Sequence, residues 1–290
     1  LGDVYKRQIR TEAIPVCILQ GNVRNMPKFV PMENKETTCT PCEQNFERKV
    51  NELVKEGDKI AVCISGGKDS MLLARMLKMA KDYRLYDFSL EYIMMNPGYM
   101  ERDMKQMEFN NLLFDIPVSY FNTNVFDDVD EIGKNPCFFC SRMRRGHLYR
   151  KAKELGCNKI ALGHHYDDVI ETTLMSMLYG AQARTMLPVI KSDNIEDMKL
   201  IRPMYLIRED DINLWKNRNN LNFVKCACRL NTKDGGEDTI RLRIKKLIRD
   251  LTNENPAVPA NIFGSMSGID LEHVLSYKID GVTHSILDDM

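Results

Sequence analysis

The chain has 290 residues with 41 Lys plus Arg against 41 Asp plus Glu, so its net charge points to no nucleic-acid partner and any basic surface has to be local. Its 43% apolar and 28% charged residues are ordinary for a globular protein able to bury one sizeable core. The apolar runs are too short to cross a bilayer and no signal pattern opens the chain, so a cytoplasmic location is expected.

Residues 1–8, which begin on Leu1, are set aside from fold reasoning as a fragment end or assembly scar. Residues 9–50 are polar and proline-containing with little periodicity, so residues 1–50 read as an irregular segment carrying one pair, Cys39-Thr40-Pro41-Cys42. Lys59 to Ile64 is a short apolar run ending at a Ser-Gly-Gly turn, which predicts a buried strand. A helical pattern starts at Ser70, with Met71, Leu72, Ala74, Leu77, Met79 and Ala80 on its apolar face. Phe88 to Met95 is a second strand, closed by Asn96-Pro97-Gly98, and residues 100–114 suit a helix. Val118 to Phe121 is a third strand, Arg142 to Leu155 a helix, Lys159 to Leu162 a fourth strand and Asp167 to Tyr179 a further helix. Strands alternating with helices of this length imply βαβ units on a parallel sheet. The expected class is therefore α/β, a Rossmann-like parallel sheet with helices on both faces, spanning residues 51–230. Residues 231–290 form a helical C-terminal extension, led by an amphipathic helix from Glu237 to Leu251 with Ile240, Leu242, Ile244, Leu247 and Ile248 as its apolar members.

Parallel sheets bind ligands at the carboxyl ends of their strands, and two motifs fall there. The first is Ser65-Gly66-Gly67-Lys68-Asp69-Ser70. Two glycines let several backbone N–H groups converge on one concavity. The following helix adds its unpaired N-terminal donors, Lys68 a cation, and Ser65 and Ser70 hydroxyls. A bare Gly-Gly turn with a capped helix would look similar; the full hexapeptide at a strand–helix junction favours phosphate. It is not a Walker A loop. The second motif is Gly163-His164-His165-Tyr166-Asp167-Asp168-Val169-Ile170-Glu171-Thr172. Its paired carboxylates at a helix start could hold Mg²⁺ or act as acid and base, or could simply be solvated first-turn acids. Asp168 is the first candidate and Asp167 its rival. His164 is placed at the nucleotide, whereas His165 is equally acceptable on the surface.

Nine cysteines are many for a reducing compartment. Cys63 and Cys157 read as small buried hydrophobes, and Cys17 also stands alone. Cys137-Phe138-Phe139-Cys140 and Cys226-Ala227-Cys228 remain open to zinc, an iron–sulfur cluster or a redox dithiol, the last lacking a thioredoxin-like context.

Ser65–Ser70 resembles the signature of the PP-loop ATP pyrophosphatases, which cleave ATP between the α- and β-phosphates and adenylate a substrate oxygen. That loop, Cys137-x-x-Cys140-Ser141-Arg142-x-Arg144-Arg145-Gly146, the Gly163–Thr172 motif and a late cysteine together resemble the tRNA-cytidine 2-sulfurtransferase family over residues 50–250. The resemblance implies an adenine nucleotide α-hydrolase-like fold, ATP with Mg²⁺, and a [4Fe–4S] cluster carried here onto Cys137, Cys140 and Cys226. Cys228 is an alternative late ligand, because the usual Pro-Cys-x-x-Cys is here Lys225-Cys226-Ala227-Cys228. Cys39 and Cys42 resemble half a zinc knuckle, leaving structural Zn²⁺ or no metal there. The resemblance further implies tRNA as partner, with Arg142, Arg144, Arg145 and the basic C-terminal helix suited to its phosphates. It implies a sulfur donor such as a cysteine desulfurase or free sulfide, and leaves a homodimer open. ATP's phosphates would lie on residues 65–70, Lys68 would stabilise developing charge, Arg144 would assist at the α-phosphate, and Gly163 and His164 would border the nucleotide. Rival readings are a thiouridine-forming or lysidine-type ligase of the same fold and a non-catalytic RNA-binding or redox-sensing module.

Overall fold

A computed structural model of the chain describes residues 41–83, 87–123, 136–192, 195–224 and 240–285, with residues 41, 42 and 136–142 described by backbone alone. Cys17, Cys39, Cys226 and Cys228 lie outside the described residues. The described residues fall into two compact units, one within Leu1–Asp167 and Leu187–Glu237 and the other within Asp168–Met186 and Asp238–Met290.

The first unit is built on a sheet of β1 (Lys59–Ile64), β2 (Ser89–Asn96), β3 (Val118–Asn122), β4 (Lys159–Ala161), β5 (Val189–Lys191) and β6 (Lys199–Ile201), ordered β3-β2-β1-β4-β6-β5. All neighbours are parallel except β5 and β6, which run antiparallel. The chain moves outward from β1 to β3, then returns to place β4 on the other side of β1. That reversal leaves a crevice at the carboxyl ends of β1 and β4, where open α/β sheets take their ligands.

Both faces of the sheet are buried, which the alternation along β1 makes plain. Ile60, Val62 and Ile64 enter one apolar cluster; Ala61 and Cys63 enter another. The larger cluster is closed by α1 (Pro41–Leu53), α2 (Lys68–Asp82), α3 (Glu101–Leu113) and α6 (Glu209–Arg218), through Val50, Leu72, Leu77, Met107, Ile212 and Trp215 among others. The smaller is closed by α4 (Pro136–Glu154), through Ala152 with Leu148 and Tyr149. Burying such a side chain contributes about 1.5–3 kcal/mol.

Three departures from the sequence reading have local causes. The segment expected to be irregular is helical from Pro41, because Phe46, Val50 and Leu53 recur at helical spacing and are buried. The helix expected from Arg142 already begins at Pro136, where proline suits a first-turn position, so Cys137 and Cys140 sit in its first two turns. Antiparallel β5 and β6 were not anticipated; at three residues each they are too short to show a period.

The second unit contains α5 (Tyr166–Gly180) from Asp168 onward, α7 (Ile240–Glu254), α8 (Val258–Gly264), a 3₁₀ turn (Leu271–His273) and a hairpin of β7 (Ser276–Ile279) and β8 (Val282–Ser285). Of the apolar residues expected along α7, only Ile244 and Ile248 are buried. The hairpin adds strand to an extension expected to be helical. Among the described residues no helix is long and apolar enough to cross a membrane.

Candidate active site

The turn after β1 is fixed by hydroxyl and backbone contacts. The Ser65 amide and Oγ lie 3.1 Å from Ser70 Oγ, which donates to Gly67 O at 3.0 Å. Gly66 has φ +80°, a conformation that favours glycine, and a Cβ there would also have to displace the Met107 side chain, whose Cε lies at 2.6 Å. α2 opens on Gly67 with no side-chain cap. Its first-turn N–H groups therefore have no side chain to satisfy them, which is the arrangement an anion completes.

The second motif touches this turn directly. A Cβ on Gly163 would come within 2.9 Å of the Asp69 carbonyl carbon and 3.0 Å of the Ser70 nitrogen. The chain leaving β4 thus lies against the first turn of α2, and any side chain at 163 would push the two apart. His165 is buried at 6% exposure, which decides against the surface position. Its ring lies 3.9 Å from both Asp69 Oδ1 and Asp167 Oδ2. His164 accepts at Nδ1 from the buried Arg202 Nε at 3.2 Å, an arrangement that fits the neutral ring protonated at Nε2.

Lys68 is the cation of the turn. Its Nζ is 2.8 Å from Asp69 Oδ1 and 3.3 Å from Glu209 Oε1. Burial works against its charge, but hydrogen bonding and attraction from Asp69 and then Glu209 outweigh it, holding the ammonium above the ordinary lysine value.

The two aspartates have different surroundings. Asp167 accepts from Arg208 Nε at 3.2 Å and Nη2 at 3.0 Å, and its Oδ2 also accepts from the Glu209 amide at 2.7 Å. Asp167 thus satisfies an orphan donor at the start of α6, whose own first turn has no side-chain cap. Arg208 in turn lies 5.1 Å from the centre of the Tyr166 ring. Within the second unit, Asp168 lies 2.9 Å from Arg241 Nη1, and Glu171 lies 3.6 Å from Arg241 Nε. Arg202, Arg208 and Glu209 were missed in the sequence: they belong to a stretch with no glycine or paired-residue signature, and their partners are 38 to 141 positions away.

The carboxyl end of β2 supplies the neighbouring wall. Asn96 Oδ1 accepts from the Gly98 and Tyr99 amides at 3.0 and 2.9 Å, fixing the loop after β2. Tyr99 OH then accepts from Arg144 Nη2 at 3.1 Å. Arg144 and the Cys137–Cys140 pair therefore share α4 with a direct tie to this loop, whereas Arg145 is exposed. Among the described residues no group of three His, Cys, Asp or Glu is placed to hold a metal. Of the pair at Cys39 and Cys42 only the Cys42 backbone is described, and the late site at Cys226 and Cys228 lies outside the described residues.

Burial pushes the Cys63 thiol up to about 12 and the Cys157 thiol up to about 11, as expected for cysteines that serve packing.

Comparison with known proteins agrees with this geometry. The PP-loop domain family matches residues 42–233, more than half of the chain. The tRNA-cytidine(32) 2-sulfurtransferase 1 of Francisella philomiragia subsp. philomiragia is 38% identical over 228 residues, covering 77% of this chain and 86% of that protein. The tRNA-cytidine(32) 2-sulfurtransferase 2 of Francisella tularensis subsp. novicida is 37% identical over 243 residues, covering 81% and 92%. Among solved structures, the U34-tRNA thiolase NcsA from Methanococcus maripaludis with its [4Fe–4S] cluster aligns with a TM-score of 0.62 at 24% identity, covering 81% of each chain; at that identity the likeness speaks to the fold. The chain belongs to the PP-loop domain family and, within it, to the tRNA-cytidine 2-sulfurtransferases.

Proposed function

We propose that this sulfurtransferase uses ATP to adenylate the C2 oxygen of a cytidine in tRNA and then replaces that oxygen with sulfur. The observation that carries the ATP half is the uncapped start of α2 at the strand-order reversal, with Lys68 beside it and Gly163 pressed against its first turn. The tRNA half rests on the family.

In the first step the base oxygen attacks the α-phosphorus, the bond to the β-phosphate breaks, and pyrophosphate leaves. Residues 65–70 hold the phosphates through backbone N–H groups, and Lys68 meets the charge that builds on the departing oxygens; fixed donors of this kind are usually the largest electrostatic contribution. Arg144, held by Tyr99, supplies a second cation toward the α-phosphate. His164, whose Nδ1 accepts from Arg202, borders the nucleotide. In the second step a sulfur nucleophile adds at C2 and AMP departs with the oxygen. A target base must be unstacked before either step.

Asp167 has its oxygens engaged by Arg208 and the Glu209 amide, so we assign it to holding α6 against the second motif. Asp168, whose Oδ1 is met by Arg241, keeps the assignment to Mg²⁺ or proton handling on the strength of the family motif. We assign an iron–sulfur cluster to Cys137, Cys140 and Cys226. The first two are one turn apart at the start of α4 and so share a face, as a common cluster needs. Such a cluster supplies an iron able to carry the sulfur to be transferred.

Anaerobically purified protein should carry iron and labile sulfide. Changing Cys137, Cys140 or Cys226 to Ala should remove the cluster absorbance while leaving ATP affinity near wild type. Nucleoside mass spectrometry of treated tRNA should reveal 2-thiocytidine. A colourless, ATP-hydrolysing protein that leaves tRNA unthiolated would instead support a cluster-free ligase of the same fold.

A further inference from the structure

We propose that a cleft between the end of β3 and the second half of α4 docks one nucleotide of the RNA substrate, taking its phosphate on Arg150, Lys151 and His147 and its base against Phe121. This rests on the tRNA reading above and assigns that partner a surface. The cleft has a volume of about 530 Å³ and is bordered by Phe121, Asn122 and Thr123 on one side and His147, Arg150 and Lys151 on the other. That is the range of small-ligand sites and is large enough for a nucleotide.

The lining has the chemistry of a polynucleotide site. His147, Arg150 and Lys151 recur at helical spacing on one face of α4. Lys151 is partly engaged by Glu154 at 3.2 Å, which also borders the cleft. Arg150 and His147 make no ion pair among the described residues, so the cleft keeps a cationic balance. Phe121 packs in part against the smaller apolar cluster and is half-buried; its remaining surface is the aromatic one on which an unpaired base stacks. An acidic peptide would use the cations and leave the ring without a counterpart.

Position supports the same partner. Asn96 Nδ2 donates to Asn122 Oδ1 at 3.2 Å, and Asn96 also fixes the loop that carries Tyr99, the acceptor for Arg144. The cleft is therefore joined to the candidate site by consecutive hydrogen bonds. Arg144 and Lys151 are seven residues, about two turns, apart on one face of α4, about 10 Å of helix rise, so one strand could meet both.

The test measures full-length tRNA binding by filter retention over a range of salt, with the intact chain. Arg150→Glu should weaken binding about tenfold and flatten the slope of log K against log salt by about one. Phe121→Leu should weaken it several-fold with the slope unchanged. ATP affinity should stay at the wild-type value in both. Wild-type tRNA affinity and slope in both variants would overturn the proposal. So would ATP affinity falling in parallel with tRNA affinity, or Arg150→Glu abolishing binding of free CMP while tRNA binding persists. A wild-type chain that binds no tRNA would remove the thiolation reading together with the cleft; a tight wild type matched by both variants would remove the cleft alone.

Discussion

β1 and β4 carry polar clusters at both ends, and the two ends are built oppositely. At their amino ends the Asp58–Lys159 pair is buried, and each remaining group is answered. Lys159 Nζ also donates to Leu53 O at 2.8 Å, capping α1, while Asp58 accepts from the Lys55 amide at 2.6 Å and from Asn158 Nδ2 at 2.8 Å. At their carboxyl ends α2 begins without a side-chain cap, and Lys68 is shared between two carboxylates. A saturated cluster can only hold strands together. An unsaturated one has donors to offer, and its cost in stability is accepted where a ligand completes it.

The largest expected effect breaks the saturated end. Lys159→Met leaves Asp58 buried without its cation and should cost about 3–5 kcal/mol, a fall of about 10 °C in Tm for a domain of this size, with ATP affinity unchanged in the folded protein. Burial pushes the Asp58 carboxyl up, but hydrogen bonds from Lys159, Lys55 and Asn158 and the Lys159 charge outweigh that, so it lies below its ordinary value of 3.8. A lowered folded value stabilises at pH above the unfolded value and is lost as pH falls through the folded one. Thermal unfolding of the wild type should therefore lose this contribution only below about pH 4. A Tm shift under 2 °C in Lys159→Met would make the two ends alike after all.

At the other end, Lys68→Gln should lower kcat by about 10²–10³ while leaving Tm within about 1 °C, read by pyrophosphate release in the presence of tRNA. Gly163→Ala should weaken ATP binding by about tenfold to a hundredfold, since its Cβ displaces the donors of α2 by a fraction of an ångström; calorimetry with ATP measures it. The smallest effect sharpens the contrast. Glu209→Gln removes a carboxylate that competes with the anion for Lys68, so metal-free pyrophosphate should bind about tenfold tighter. Weaker binding would mean that Glu209 positions Lys68 and does not compete for it.

Much of this was readable in the residues. The phosphate loop announces itself because its chemistry is local: glycines, hydroxyls and a lysine within six positions after a strand. The βαβ order followed from strand and helix lengths. Asp58, Lys159, Arg208 and Glu209 gave no such signal, because each gains meaning from a partner that the fold brings from 41 to 141 positions away. The helix at Pro41–Leu53 and the hairpin at Ser276–Ser285 did leave signals. Phe46, Val50 and Leu53 keep helical spacing, and Asp280-Gly281, with φ of 50° and 82°, is a turn pair favoured between antiparallel strands.

Cys63 sits directly behind the phosphate loop on β1, and Cys157 shares its apolar cluster. An enzyme that moves sulfur runs the risk of loading it onto its own thiols. With their values raised to about 12 and about 11, roughly one part in ten thousand or less of either is thiolate at neutral pH, and thiolate is the form that reacts. Burial thus works as chemical insulation: these two sulfur atoms serve the core as packing and stay out of the sulfur transfer proposed for the cysteines of α4.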